Sequence, residues 1–215
     1  MKEFVLFDLG NTLVRYYDLP DYPPILRVAV GEVASFLGAE TDWARVAVED
    51  FEAKDFQVRP LAGRLGRIFP DAAWSDETAL EACRRFMKPI FALAHIYDDV
   101  LPILAALRER SIQTAIVSNT PWGSPAALWR EEMARLALAE AVDTLVFCPD
   151  CGWRKPARPI FDLALQKLGA TPGQCLFIGD DPRWDIVGPQ ALGIDAALID
   201  RRTQTLPDVL KGMLQ

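Results

Sequence analysis

From residue 98 onward, short apolar runs alternate with stretches whose apolar residues recur at helical spacing. Ile112–Ser118, Thr144–Phe147, Cys175–Ile178 and Asp195–Ile199 have the length and content of strands buried on both faces. Helices are expected through Val100, Ile103, Leu104 and Leu107, near 124–138, over 157–168 up to Gly169, over 183–192 up to Gly193, and at the C-terminus. This alternation builds βαβ units around a parallel sheet. Right-handed crossovers then put helices on both faces. Phe4-Val5-Leu6-Phe7, at the front of the chain, is a fifth run of the same kind and joins the sheet. The expected fold class is α/β, a doubly wound parallel sheet.

Between about residue 20 and residue 95 no strand alternation appears. Pro23-Pro24 opens a helix with Ile25, Leu26, Ala29, Val33, Phe36 and Leu37 on one face, closed by Gly38. Thr41-Asp42 can cap a second helix carrying Trp43, Val46, Ala47 and Phe51. A broken, basic piece follows from Arg59 to Arg67, and Ser75-Asp76 starts a third helix that Pro89 interrupts or restarts. The expected organisation is an α/β core made of residues 1–15 and 97–215, with an all-helical cap, 16–96, inserted between its first two strands.

With 51% apolar residues the chain can fill a sizeable core, and its net charge of −7 provides no general field for nucleic acid or anionic membrane. No apolar run reaches the length of a membrane span, and Met1-Lys2-Glu3 does not open a signal peptide. A cytoplasmic protein with neither nucleic-acid nor membrane partners is expected; monomer and homodimer stay equally open. Cys148-Pro-Asp-Cys151 has the spacing of half a zinc site or of a redox pair. Cys83 and Cys175 are remote in sequence and His95 is the single histidine. A four-ligand zinc site is therefore poorly supplied, and buried or half-buried thiols are expected instead.

In a parallel sheet the C-terminal strand ends share one edge, where ligand sites of open α/β sheets lie. Asp8 follows Phe7, Ser118-Asn119 follow Val117, Lys155 lies in the loop after Phe147, and Asp180-Asp181, with Asp185 nearby, follow Ile178. An acid at Asp8 can be a nucleophile, a metal ligand or a helix cap. As a set, these groups suit phosphoryl chemistry. Two acids can hold Mg²⁺, a hard cation that takes oxygen ligands. A hydroxyl and an ammonium can bind phosphoryl oxygens, and a carboxylate can attack phosphorus.

The four segments resemble, in order, the four motifs of the haloacid dehalogenase-like hydrolase superfamily. These are Asp8-Leu-Gly-Asn-Thr-Leu13, Val117-Ser118-Asn119, Lys155-Pro156 and Gly179-Asp180-Asp181-Pro-Arg-Trp-Asp185. The likeness spans nearly the whole chain. The helical insert resembles the cap of the subclass that includes phosphoglycolate phosphatase, β-phosphoglucomutase and the haloacid dehalogenases. The resemblance implies a Rossmann-like core and Mg²⁺-dependent hydrolysis of a small phosphorylated metabolite through an aspartyl-phosphate. It assigns Asp8 as nucleophile and metal ligand, and the Gly10 carbonyl, Asp180, Asp185 and Asp181 as further metal contacts. Ser118 and Lys155 would grip the phosphoryl group, and Asn119 and Thr12 would line the substrate site; Trp122, directly after the second motif, is expected either as an apolar wall against the leaving group or as rim packing.

One position departs from the family pattern. Most phosphatases of the family carry Asp two residues after the nucleophile, as general acid and base, and here that residue is Gly10. A positioned acid is typically worth about 10²–10⁴-fold. Three accounts compete: a substrate with a good leaving group, a proton from the cap or through water, or a weakly active or non-catalytic relative that binds a phosphorylated ligand. The 2-haloacid dehalogenases share the nucleophile and need no metal, but the acidic fourth motif argues for a cation. In the insert, Arg59, Arg64 and Arg67 can grip a substrate anion or simply be solvated. Tyr16 and Tyr17 are expected at the hinge or the pocket mouth, His95 where the insert rejoins the core, and Asp200 as a turn or cap residue.

Overall fold

The computed structural model describes residues 2–51 and 54–214. Strands β1 (Phe4–Phe7), β4 (Gln113–Ser118), β5 (Thr144–Phe147), β6 (Cys175–Gly179) and β7 (Asp195–Leu198) form one sheet in the order β5-β4-β1-β6-β7. Every pairing in it is parallel. β1 is central because all four of its residues are buried, which only a strand covered on both faces and paired on both edges tolerates. Its alternate side chains divide the core. Val5 and Phe7 join the cluster that includes Ile103, Leu104 and Leu107 of helix α5 (Val100–Glu109). Phe4 and Leu6 join Ile160, Phe161 and Ala164 of helix α7 (Arg158–Leu168), the next helix after α6 (Ala126–Arg135). Helices thus cover both faces, as in a Rossmann-like fold. The chain runs outward from β1 to β4 and β5, then returns to its other side for β6 and β7. The end of β1 is therefore the switch point of the sheet, where a crevice opens.

Two short strands escape the sequence reading. β2 (Val14–Arg15) and β3 (His95–Ile96) pair antiparallel where the chain leaves and re-enters the sheet region. Two residues are too few to show a period of two. Between them lie α1 (Tyr22–Leu37), α2 (Trp43–Glu49), α3 (Leu61–Ile68) and α4 (Asp76–Phe91). Asp42 caps α2 by accepting from the Ala44 and Arg45 amides. Ser75 caps α4 through the Thr78 amide.

The basic piece proves to be helix α3, with Leu61, Leu65 and Ile68 buried on one face. α4 runs through Pro89 without stopping, held by the burial of Phe86, Met87 and Ile90 around it. No helix among the described residues is long and apolar enough to cross a membrane. The last expected helix is two short ones, Leu206–Val209 and Lys211–Leu214, and the helix expected over 183–192 begins as a wide turn, Pro182–Val187.

Candidate active site

Three strand ends and one loop converge beyond the centre of the sheet. Phe7 is in register with Ile116 and with Ile178, so Asp8 emerges between Val117-Ser118 and Gly179-Asp180. The Asp8 amide donates to the Ile178 carbonyl at 2.9 Å, which fixes where its side chain starts. Lys155 comes from the loop after β5 and is only 2% exposed. Its Nζ donates to Asp8 Oδ1 at 2.5 Å and to Asp185 Oδ1 at 2.7 Å. Ser118 Oγ donates to the same Asp8 oxygen at 3.2 Å. Two donors on one oxygen fix the rotation of that carboxylate.

The backbone around Lys155 is held just as firmly. Asn119 Oδ1 accepts from the Lys155 amide at 2.7 Å and its Nδ2 donates to the Lys155 carbonyl at 3.3 Å. Asn119, expected at the substrate, therefore holds the loop that delivers the ammonium. Asp185 Oδ2 accepts from the Asp181 amide at 3.1 Å. Gly179 makes room for this arrangement, since a Cβ there would lie 2.3 Å from the Asp185 carboxyl.

The carboxylates of Asp8, Asp180 and Asp185 each offer an oxygen within 4.8 Å of the others. Burial, and then the charges of Asp8 and Asp185, push the Asp180 carboxyl up to about 7. Burial likewise raises Asp185 to about 6, against the pull of Lys155. Burial opposes the Lys155 ammonium, but Asp185 and Asp8 outweigh it and carry its pKa above the ordinary lysine range. Three acids thus face one ammonium, and burial, with the neighbouring negative charges second, raises two of them. An all-oxygen donor set with surplus negative charge fits a hard divalent cation such as Mg²⁺.

A cavity of about 1010 Å³ opens over these groups, with Gly10, Tyr16, Tyr97, Trp129, Trp184 and Arg201 among its other lining residues. A Cβ built at Gly10 would meet nothing within 4 Å. Asp181 lines the cavity, with its carboxylate accepting from the Arg183 amide at 2.8 Å and pairing with the Arg183 guanidinium. Other residues expected at the site stand elsewhere. Trp122 is not among the residues lining the cavity. It packs on Phe86, lies beside the Arg64 guanidinium and donates to the Tyr22 hydroxyl at 2.7 Å. Thr12 is fully buried, also off the cavity wall. Arg59 pairs with Asp55, Arg67 with Glu49, and Arg64 donates to the Glu49 carbonyl. All four cysteines are free thiols; burial raises the pKa of Cys148 and Cys151, and the Thr120 amide donates to Cys148 Sγ at 3.2 Å.

Tyr97, Trp129, Trp184 and Arg201 are cavity residues the sequence reading did not assign. For Arg201 a signal existed: it lies in the loop just after β7, whose C-terminal end reaches the same edge as the four motifs.

A model of the haloacid dehalogenase-like hydrolase family matches residues 3–193. The chain is 28% identical to the ribulose-1,5-bisphosphate 5-phosphatase of Halopiger xanaduensis, over 93% of this chain and 85% of that one. It is 29% identical to the phosphoglycolate phosphatase of Rhodospirillum rubrum, over 93% and 80% respectively. Among solved structures, a HAD phosphatase from Thermococcus onnurineus superposes with a TM-score of 0.69 at 21% identity, covering 99% of this chain and 98% of that one. A 2-haloacid dehalogenase from Pseudomonas syringae pv. tomato superposes with a TM-score of 0.67 at 22% identity, covering 95% and 89%. At these identities the structural likeness speaks for the fold.

Proposed function

The chain belongs to the haloacid dehalogenase-like hydrolases, and from that premise we propose that it is a Mg²⁺-dependent phosphatase acting on a small phosphorylated metabolite. The observation that carries the reading is the enclosed cluster of Asp8, Asp180 and Asp185 with Lys155 and Ser118 on the first of them. The family's solved folds include a dehalogenase as well as phosphatases. A halide-displacing site, however, gains nothing from two further acids, one buried and one half-buried, beside an anionic substrate. The sequence relatives covering most of the chain are named phosphatases, which favours the same choice.

In this reading Asp8 attacks phosphorus, the bond to the leaving oxygen breaks, and water then cleaves the aspartyl-phosphate to release phosphate and regenerate Asp8. Lys155 and Ser118, both already on Asp8 Oδ1, transfer donors to the phosphoryl oxygens as charge develops there. Asp8, Asp180 and Asp185, with the Gly10 carbonyl, would hold Mg²⁺, which would supply Lewis-acid charge to the phosphoryl group. The helical segment 16–96 acts as the cap that closes the cavity over the substrate.

Gly10 leaves the departing oxygen without a side-chain acid, so the preferred substrates carry good leaving groups. A series of acyl, aryl, anomeric and alkyl phosphates with Mg²⁺ tests this. The rate should fall steeply as the leaving-group pKa rises; a flat series denies it and requires another acid. Turnover of 2-chloropropionate that survives EDTA would transfer the chain to the dehalogenases.

The acidic cluster also sets a pH dependence. Asp180 at about 7 and Asp185 at about 6 lie above the ordinary 3.8, so these two groups hold more protons in the metal-free folded chain than in the unfolded chain between pH 4 and 7. Their contribution to stability should therefore fall as pH rises through that window. A cation held by the same carboxylates opposes the loss. At roughly a hundredfold excess over Kd, Mg²⁺ contributes about 2.7 kcal/mol, or roughly 5–10 °C of Tm for a chain this size. Calorimetry should show the full shift at pH 8 and a smaller one at pH 5.5. Equal shifts at both pH values would dissociate the carboxyls from the metal.

A further inference from the structure

We propose that Arg201 is a positioning residue that fixes the loop carrying the nucleophile. This inference rests on the phosphatase reading for its kinetic consequences and on geometry for the rest. The loop after Asp8 is a compact turn folded on the Leu9 carbonyl, which accepts from the Leu13 and Val14 amides at 2.9 Å each. Asn11 takes the left-handed conformation, φ 54°, and its amide donates to the Val14 carbonyl at 2.7 Å. These bonds give the turn its shape but do not fasten it to the rest of the molecule.

The Leu9, Leu13 and Val14 side chains are buried in the core and Val14 pairs with Ile96 of β3, and two further contacts from distant chain hold the turn's carbonyls. Arg201 Nε donates to the Thr12 carbonyl at 2.8 Å. The Tyr97 amide donates to the next carbonyl, that of Leu13, at 3.2 Å. The two holders also hold each other, with the Arg201 guanidinium 4.3 Å from the centre of the Tyr97 ring. Asp99 completes the latch. Its carboxylate receives both guanidinium Nη groups, at 2.7 and 2.9 Å, and the Leu206 amide at 2.7 Å. The Arg201 side chain is 6% exposed, far from the surface pairs whose contribution is small.

A bidentate fork with a third N–H aimed at a main-chain carbonyl sets direction as well as distance, which a lysine cannot reproduce. Gly10 has no side chain to register its own position, and its carbonyl is a proposed metal contact. The orientation of that carbonyl therefore depends on the anchorage two residues away. The latch also joins this loop to Tyr97, which directly follows β3, the strand on which the chain returns from the helical insert.

Arg201→Gln and Arg201→Lys test the proposal in the full chain. For Arg201→Gln, kcat should fall roughly ten- to a hundredfold with KM little changed, because misplacement of the reacting groups costs rate rather than binding. Titration calorimetry with Mg²⁺ alone should show affinity weakened several-fold. Hydrogen exchange in the segment 9–14 should accelerate at least about tenfold, while α7 keeps its protection. Arg201→Lys should restore only part of each. Loop exchange and Mg²⁺ affinity equal to those of the unaltered chain would overturn the proposal, as would a rise in KM alone. Should Arg201→Gln fail to fold, Asp99→Asn loosens the fork and is read by the same measurements. An unaltered chain that neither turns over phosphate esters nor binds Mg²⁺ would sink the phosphatase reading, and the exchange measurement would still decide the role of Arg201.

Discussion

Asp8→Asn is expected to lower the release of phosphate by at least about 10⁴-fold, the scale seen when a nucleophile is removed from a group that acts as a unit. The substitution keeps the shape of the side chain and its place after β1, where the Asp8 amide is bonded to the Ile178 carbonyl. Lys155 keeps Asp185 as a partner at 2.7 Å, so the ammonium is not stranded. What disappears is the carboxylate oxygen that attacks phosphorus. The fold should survive, and phosphate esters should still bind. Steady-state assay of released phosphate, with binding followed separately by calorimetry, separates the two effects. Residual turnover above about one part in a thousand, free of contaminating phosphatase, would assign the attack to another group. An unaltered chain that binds phosphate esters but hydrolyses none would instead be a phospho-ligand sensor built on this fold.

Much of the sheet was legible because a strand buried on both faces leaves a dense apolar run. Phe4–Phe7 and Asp8 could be read together for that reason, and once the strands were seen to be parallel the acids at their ends had to share an edge. Helix α3 was obscured by Pro60, Gly63 and Gly66, which suppress helical propensity, yet packing of Leu61, Leu65 and Ile68 outweighs that local bias. Pro89 misled in the same way: its cost to the ladder is outweighed by the buried residues on either side.

The side-chain roles were less legible. Nothing in the sequence says that Asn119 would spend both ends of its amide on the Lys155 backbone, or that Asp181 would close a turn with Arg183. Those choices depend on atoms 2–4 Å away that are contributed by other segments. Sequence spacing brings a residue to the correct edge; it does not say which way a short polar side chain will turn there.

Lys155→Met is expected to damage stability and activity together, and the way it does so tests the electrostatics of the whole site. The side chain is 2% exposed and bridges two carboxylates that are themselves 8% and 1% exposed. Methionine fills a similar volume but leaves Asp8 and Asp185 facing each other without a counter-charge. Breaking one side of a buried ion pair costs about 3–5 kcal/mol, which for a chain this size lowers Tm by roughly 6–20 °C. The pair can shed part of that cost by taking up protons, so the loss should be smaller at pH 5 than at pH 8. The sign follows because the folded variant binds more protons than its unfolded chain in that window, and stability then falls with rising pH. Mg²⁺ offers a second remedy by placing positive charge among the same oxygens, and should recover part of the loss at pH 8. Turnover should stay depressed by at least about 10²-fold even when the cation has restored the fold, because the donor to the phosphoryl oxygens is still missing. Calorimetry at the two pH values, with and without Mg²⁺, reads the stability terms; phosphate release under the Mg²⁺ condition reads the catalytic one. A Tm that ignores both pH and Mg²⁺ would mean that the three carboxylates do not act as a charged cluster, and the case for a cation-dependent phosphatase would lose its physical basis.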